Sequence, residues 1–510
     1  MENDNKRVSQ TETKSPSKKT LAAILFLLVI TNFLILSFPY LLKRLSVPVG
    51  WDTAWYVRNM RLIADQGFPA LFEATGGINF YSVFEYFLSS IFHVSFMLTE
   101  KVLPIIIGVS YSLVNFGIVR KFSKSWKFPF IAMGLSIIAF NTARMVQDLH
   151  RNLFCFMLVQ IALFLILPDV LEHASKKKAI CFIFLMTLAG ISHVETFALV
   201  MFALFLFVLF YSRKHPFGKA KPLFIYIAIP SLLVFLLEFP FLLNYLKDAV
   251  FLDQSTNFSY KEWIAVPWSY LFSLGGALIP FYVIGLYHSL STSLRKQEEQ
   301  RLFLISFWNI VVIVGSFTPW FGIKIPGYRF LLLATVPVVA TIGFARFFAY
   351  RNLNKKNVAL SIVLIALAAA TQVIYISNNY NSWLSNTQYE KLMWIANNKK
   401  DDPCTLVLYF NSGETTHLVV EMYGFWIQAV VGSRTNIYFG RIQDLLNLQP
   451  TQSENQYMNE TSFAYWNMMK NDFIIENEIY LVADWYNTSY TYPKYLEQVD
   501  EELGIYKVIH

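Results

Sequence analysis

The chain has 510 residues, of which 55% are hydrophobic, 17% aromatic and only 15% charged, and its formal net charge is +8. Soluble domains carry about 25% charged residues, so this composition, with a mean hydropathy of +0.42, excludes a wholly water-soluble protein. The positive charge does not point to nucleic acid, because Lys and Arg gather in short loops between apolar runs, as cytoplasmic loops require.

In chain order, residues 1–20 are polar and basic and read as a disordered cytoplasmic tail. Leu21 to Tyr40 is too long for a signal-peptide core and lacks a small-residue cleavage site, so it reads as an anchored first span. Further apolar stretches lie at 102–119, 128–142, 152–170, 179–196, 197–212, 222–241, 264–289, 302–318, 330–345 and 358–377. Together these predict about 11 membrane helices, each near the ~20 residues that cross a hydrocarbon core of about 30 Å. The run 80–98, with Glu85 and His93 eight residues apart, could span or lie in the interface.

Charge arbitrates. With 80–98 lying flat, the loops "RKFSKSWK", "EHASKKK", "SRKHPFGKAK", "SLRKQEEQR" and "ARFFAYRNLNKK" hold 4, 3, 4, 3 and 4 Lys or Arg. The alternate loops hold 2, 0, 2 and 2. The positive-inside rule then sets the N-terminus inside, 80–98 in the interface, and residues 378–510 outside. Glu85 and His93 read as marks of an amphipathic interface helix before a metal pair. Residues 378–510 change character: alternating runs such as "CTLVLYF" and "NEIYLVADW" read as strands and "TQYEKLMWIANN" as a helix. The expected organisation is a tail (1–20), a transmembrane domain (21–377, with a first outer loop at 43–100) and a soluble outer α/β domain (378–510). The sequons at Asn257, Asn459 and Asn487 fall on the outer side in this topology. Cys155 and Cys181 lie in apolar runs and Cys404 stands alone in a polar region, which offers neither an internal disulfide there nor a Cys/His metal spacing.

The ionisable residues of the outer loops carry the functional signal. The first loop holds Asp52, Arg58, Arg61, Asp65 and Glu73. The next, "ARMVQDLHRNLF", holds Arg144, Asp148, His150 and Arg151. A tight turn holds His193 and Glu195, and a later loop holds Lys324, Tyr328 and Arg329. A charge at bilayer depth costs at least about 2.5–3.5 kcal/mol, so such groups remain where they pair or do chemistry. A hydroxyl attacking an activated sugar needs a base such as a carboxylate. A departing lipid phosphate develops charge that Arg can neutralise with two parallel hydrogen bonds. Each residue also has a plainer reading. Asp52 and Asp148 could cap the helices that follow them, His150 and Arg151 could anchor at the interface, His193 could be a hydrogen-bonded histidine at a span end, and Arg329 could snorkel.

The layout resembles the GT-C superfamily of integral membrane glycosyltransferases. "WDTAWYVRNMRLIADQGFP" is similar to the first-loop pattern, which implies that Asp52 holds the catalytic-acid position with Arg58 as a substrate contact. "RMVQDLHRNLF" resembles the second acidic motif, with Asp148 as its counterpart and His150 and Arg151 beside it. "SHVETF" looks like the histidine-bearing span end of some branches, placing His193 and Glu195 at the substrate. "GYRFLLLATVP" is similar to the late arginine motif that meets the donor phosphate, implying that role for Arg329 with Tyr328 and Lys324. The first motif has one Asp where some relatives have paired acids, so a divalent metal such as Mg or Mn, held by Asp52 and Asp148, stays an open alternative. "ADWYN" (Asp484, Trp485) is not the Trp-Trp-Asp motif of oligosaccharyltransferases, which argues against en bloc transfer to asparagine. The resemblance implies transfer of a sugar from a polyprenyl-phosphate-linked donor to a glycan, lipid or protein hydroxyl. A transporter or flippase of lipid-linked sugars would place polar residues near the bilayer midplane in repeated halves. A non-catalytic membrane scaffold would tolerate loss of Asp52, Asp148 and Arg329 together.

Overall fold

The computed structural model describes residues 17–50, 52–123, 125–173, 175–214, 217–240, 274–295, 300–317, 327–350, 355–380, 382, 384–399, 405–410, 417–441, 479–482, 496–500 and 505–508. The sequons at Asn257, Asn459 and Asn487, and also Cys404, Lys324, Asp484 and Trp485, lie outside these residues.

A long apolar helix, α1 (Lys18–Lys43), opens the described chain. Three short helices follow: α2 (Thr53–Gln66), α3 (Phe68–Thr75) and α4 (Phe80–Phe92). Gly67 at φ +85° and Gly76 at φ +69° make the sharp exits from α2 and α3 that residues with a Cβ seldom adopt. At 13 residues α4 is too short to cross a bilayer core. Its Glu85 is buried while His93, at its end, is exposed, so the two do not share an environment. Next come α5 (Phe96–Phe122), α6 (Lys127–Ile138), α7 (Phe140–Gln147) and α8 (His150–Gln160), which runs through a π-helical turn (Ile161–Ile166) into α9 (Leu167–His173). Then follow α10 (Lys176–Ser192), α11 (Val194–Lys214), α12 (Phe217–Leu237), α13 (Ile279–Arg295), α14 (Gln300–Gly315), α15 (Gly327–Leu332), α16 (Val336–Tyr350) and α17 (Lys355–Asn379). Among the described residues five helices are long and apolar enough to cross a membrane, or six if α6 and α7, bent by 52°, form one broken span. Eleven were expected. Breaks divide two of the predicted stretches into pieces shorter than a span: 128–142 at Ala139, and 330–345 at Leu333–Thr335 ahead of Pro337.

Two compact units result. One comprises Met1–Leu42 with Pro104–Asn379, the other Lys43–Leu103 with Tyr380–His510. The first loop thus belongs with the C-terminal region.

In the first unit, polar side chains join helices where no water competes: Asn32 donates to Ser112 (2.8 Å), Asn115 to Ser136 (3.0 Å) and Gln160 to Tyr111 (3.5 Å). Glycines allow closer approach still. A Cβ at Gly285 (α13) would overlap the Val339 carbonyl, and one at Gly343 (α16) would overlap that of Phe281. A charge knot closes one end of the bundle. Lys121 (3.1 Å), Lys178 (2.7 Å) and Arg301 all converge on Asp169, and Arg301 also reaches Glu172 at 3.8 Å.

The second unit holds helices α18 (Asn386–Asn398) and α19 (His417–Val430) and five strands. These are β1 (Thr405–Phe410), β2 (Asn436–Arg441), β3 (Ile479–Val482), β4 (Leu496–Asp500) and β5 (Ile505–Val508), in the order β2-β1-β3-β5-β4. The β1 strand pairs parallel with β2 and β3, in register Leu406 with Ile437 and with Tyr480, while β5 runs antiparallel to β3 and β4. Ser385 and Gln388 form a capping box that starts α18. The core of this unit is shared between loop and C-terminal region: Val57 and Met60 of α2 pack with Leu392, Trp426 and Ile427.

Candidate active site

In the second unit, Asp52 stands at the start of α2. Its backbone carbonyl accepts from the amides of Trp55 (3.1 Å) and Tyr56 (3.2 Å), whereas its carboxylate makes no capping bond to the helix. Helix capping is therefore not the task of this carboxylate. Its negative charge acts on Glu100, which is buried, as is Glu85. Buried Tyr81 sits among them, its ring edge-on to Tyr56 at 5.2 Å. Burial, then the charges of Glu85 and Glu100, push the Tyr81 phenol well above its ordinary pKa, so it stays a neutral donor. Asp52, Tyr81, Glu85 and Glu100 thus form one acid–phenol cluster. The first-loop motif pointed to Asp52, whereas Glu85 read as a mark of an interface helix. Glu100 could have been found as the acid in "MLTEK", directly ahead of the apolar run 102–119.

The structure turns Arg58 toward the C-terminal region. Its Nε donates to Gln428 (2.7 Å), its guanidinium lies 5.3 Å from the Phe425 ring centre, and burial lowers its pKa. On the same helix, Asp65 accepts from Arg61 (3.2 Å) and from the Ser433 hydroxyl (2.9 Å). These contacts join α2 to α19 and the turn after it.

In the first unit, the α7–α8 corner and the α10–α11 junction gather the other residues. Arg144 pairs with Asp148 across one helical turn at 2.7 Å, and Asp148 is buried. His150 is also buried, its Nε2 donating to the Val146 carbonyl at 2.8 Å. Arg151 donates to the Ser192 carbonyl at 3.1 Å, which fixes its stem beside His193. His193 is the junction residue between α10 and α11. The Thr196 amide donates to its Nδ1 at 3.1 Å, which leaves the proton of the neutral ring on Nε2. Burial of the ring, then the positive charges of Arg151 and Arg329, hold its pKa well below the usual histidine value. Arg329, exposed on α15, is therefore an electrostatic neighbour of His193 and Arg151. Glu195 is half-buried in the first turn of α11. Tyr328 precedes Arg329 on α15.

Arg151 and Arg329 thus both bring positive charge to bear on the His193 ring. Among the described residues no group of three or more His, Cys, Asp or Glu is arranged to hold a metal ion.

No family model matches the chain, and no curated protein matches it in sequence. Solved structures do match in fold. The chain is similar to the oligosaccharyltransferase of Archaeoglobus fulgidus in its apo form, at 14% identity and a TM-score of 0.57, over 91% of this chain and 69% of that one. A second structure of that enzyme, in complex with zinc and sulfate, matches with a TM-score of 0.54 at 14% identity, over 90% and 68% of the two chains. ArnT from Cupriavidus metallidurans, bound to undecaprenyl phosphate, matches with a TM-score of 0.54 at 12% identity, over 96% of this chain and 98% of that one. These neighbours are GT-C glycosyltransferases, and the fold of this chain is theirs. With its apolar helices, that likeness makes it an integral, multi-pass membrane protein.

Proposed function

We propose that the chain is a membrane glycosyltransferase that moves a sugar from a polyprenyl-phosphate-linked donor to a hydroxyl of a glycan, lipid or protein acceptor on the outer face, with the N-terminus cytoplasmic and residues 378–510 forming an outer α/β domain. The observation that carries this reading is the joint action of Arg151 and Arg329 on the neutral His193, in a fold shared with ArnT, whose structure contains undecaprenyl phosphate. Arg329 would hold the donor phosphate, with Tyr328 and Lys324 beside it. Arg151 and the Nε2–H of His193 would add donors that strengthen as charge moves onto the leaving oxygen.

In the transfer step, the acceptor oxygen bonds to the anomeric carbon as its bond to the phosphate oxygen breaks, with inversion. The polyprenyl phosphate leaves with the electron pair. Asp52 takes the acceptor proton, as a carboxylate general base does. Asp148, held by Arg144, would position the acceptor or the leaving group, and His150 and Glu195 would line the approach. Arg58 acts on substrate only indirectly in this reading, by holding α2 to α19. A requirement for a divalent ion is a separate proposal, tested by chelation and Mg or Mn restoration.

The test is transfer from a synthetic undecaprenyl-phosphate-linked sugar in membranes that carry the protein. Asp52→Asn is expected to lower the rate by about 100-fold or more, in line with the loss of a positioned general base, while binding of undecaprenyl phosphate stays unchanged. Arg329→Gln is expected to weaken that binding. Unchanged transfer by Asp52→Asn would remove this mechanism.

A further inference from the structure

Two interrupted helices meet in the first unit. The first interruption lies at Ala139, whose extended backbone (φ −77°, ψ 123°) separates α6 from α7. The second lies at Leu333–Thr335, between α15 and α16. The cause of the second is legible: Pro337 has no N–H to give the carbonyl of Leu333, four residues earlier. The residues of that break are buried, and a carbonyl inside a membrane protein needs a donor from elsewhere in the protein.

Side chains from two other helices supply the missing partners. From α14, Trp308 Nε1 donates to the Leu333 carbonyl at 2.9 Å. Also from α14, Asn309 donates to the Thr335 hydroxyl at 2.7 Å and accepts from the Thr335 amide at 3.0 Å. From the start of α7, Asn141 donates to the carbonyls of Ala334 (3.1 Å) and Leu332 (3.4 Å), one on each side of Leu333. Asn141 is buried, and its own Oδ1 accepts from the Thr142 amide at 3.0 Å, which fixes the direction of the amide group.

These bonds tie together the two short helices that carry the site. Arg329 lies on α15, one turn before the break. Arg144 and Asp148 lie at the far end of α7, one and two turns after Asn141. Both helices are short, six and eight residues, and neither has the length to fix its own direction. We propose that Asn141 is a positioning residue that sets the guanidinium of Arg329 relative to the Arg144–Asp148 pair, by locking the start of α7 to the break beyond α15. The inference rests on the donor-phosphate role of Arg329 given above.

The experiment uses the full chain in lipid nanodiscs, with undecaprenyl phosphate as the probe and undecaprenol as the control that lacks the phosphate. Four proteins are compared: wild type, Arg329→Gln, Asn141→Leu and Trp308→Phe. Leucine matches asparagine closely in shape and removes both donors. The Trp308→Phe change removes the bond from α14 to the same break without touching α7. Asn141→Leu is expected to weaken undecaprenyl phosphate binding by about tenfold, the scale of a displaced hydrogen bond to a charged group, and to leave undecaprenol binding unchanged. Trp308→Phe is expected to lower the melting midpoint while phosphate-lipid affinity stays within about twofold, well inside what one displaced hydrogen bond would cost. If Asn141→Leu and Trp308→Phe lose affinity alike, in step with their midpoints, Asn141 is merely structural and the proposal is overturned. If Arg329→Gln loses binding and Asn141→Leu does not, only the positioning role falls. If Arg329→Gln binds like wild type, the phosphate site itself fails and the positioning role falls with it.

Discussion

The crossing of α13 and α16 permits a prediction whose sign depends only on geometry. Gly343→Ala would add one methyl group against the backbone of α13. That methyl would lie 2.7 Å from the Phe281 carbonyl carbon and 2.8 Å from the Gly285 nitrogen, with the Phe281 oxygen nearer still. None of these atoms can rotate away, so the helices must part by several tenths of an ångström or more, and tight contacts along both must loosen. We expect about 3 kcal/mol of destabilisation, the upper end of the range for overpacked interiors. Gly134→Ala, on α6, is the matched control. A Cβ there meets nothing within 4 Å, so the same substitution is expected to stabilise by about 0.5–1 kcal/mol through lower chain entropy and better helix propensity. The assay is the thermal midpoint of the detergent-solubilised protein, followed by loss of the monodisperse peak on gel filtration. Shifts of the same sign for both variants would refute the close glycine crossing.

Asp169→Ala takes away the carboxylate on which Lys121, Lys178 and Arg301 converge, and it is expected to cost about 2 kcal/mol, less than a fully buried pair because both lysines are half-exposed. A thermal midpoint equal to that of wild type would show that the knot contributes nothing. For Tyr81, the raised pKa means the folded state favours the protonated phenol. The stability this contributes is present below the ordinary phenol pKa of 10.0 and is lost as pH rises through and beyond it. Tyr81→Phe should therefore flatten the fall of the thermal midpoint above pH 10, and identical alkaline profiles would contradict that.

Much of the helical architecture was written in the apolar runs. Leu21 to Tyr40 lies within α1, and the run 102–119 lies within α5. The interruption ahead of Pro337 was not expected, since 330–345 read as one span, although the missing N–H that causes it is a property of the residue itself. The bend at Ala139 was not legible, because no proline or glycine marks it and the partners of Asn141 lie 191 and 193 residues away. The same limit applies to Arg58. Its motif suggested a substrate contact, yet its partner Gln428 comes 370 residues later, and no local pattern encodes such a pairing. Asp148 and His193 were visible as charges at span ends, but what surrounds them depends on α7, α10 and α15 meeting. The acid–phenol cluster was half visible: Asp52 through its motif, Glu85 through its rarity in an apolar run, and Tyr81 and Glu100 only once their burial is known.

The union of the first loop with the C-terminal region has a consequence for biogenesis. Residues that pack around Trp426 and Ile427 include Val57 and Met60, so their hydrophobic core cannot close until nearly the whole polypeptide has left the ribosome. At about 5–20 residues per second, the 370 residues separating Arg58 from Gln428 correspond to a delay of roughly 20–70 s, in which α2 waits with its apolar side uncovered. A nascent chain stalled before residue 417 should accordingly be captured by chaperones at this loop, and release of the stall should free it.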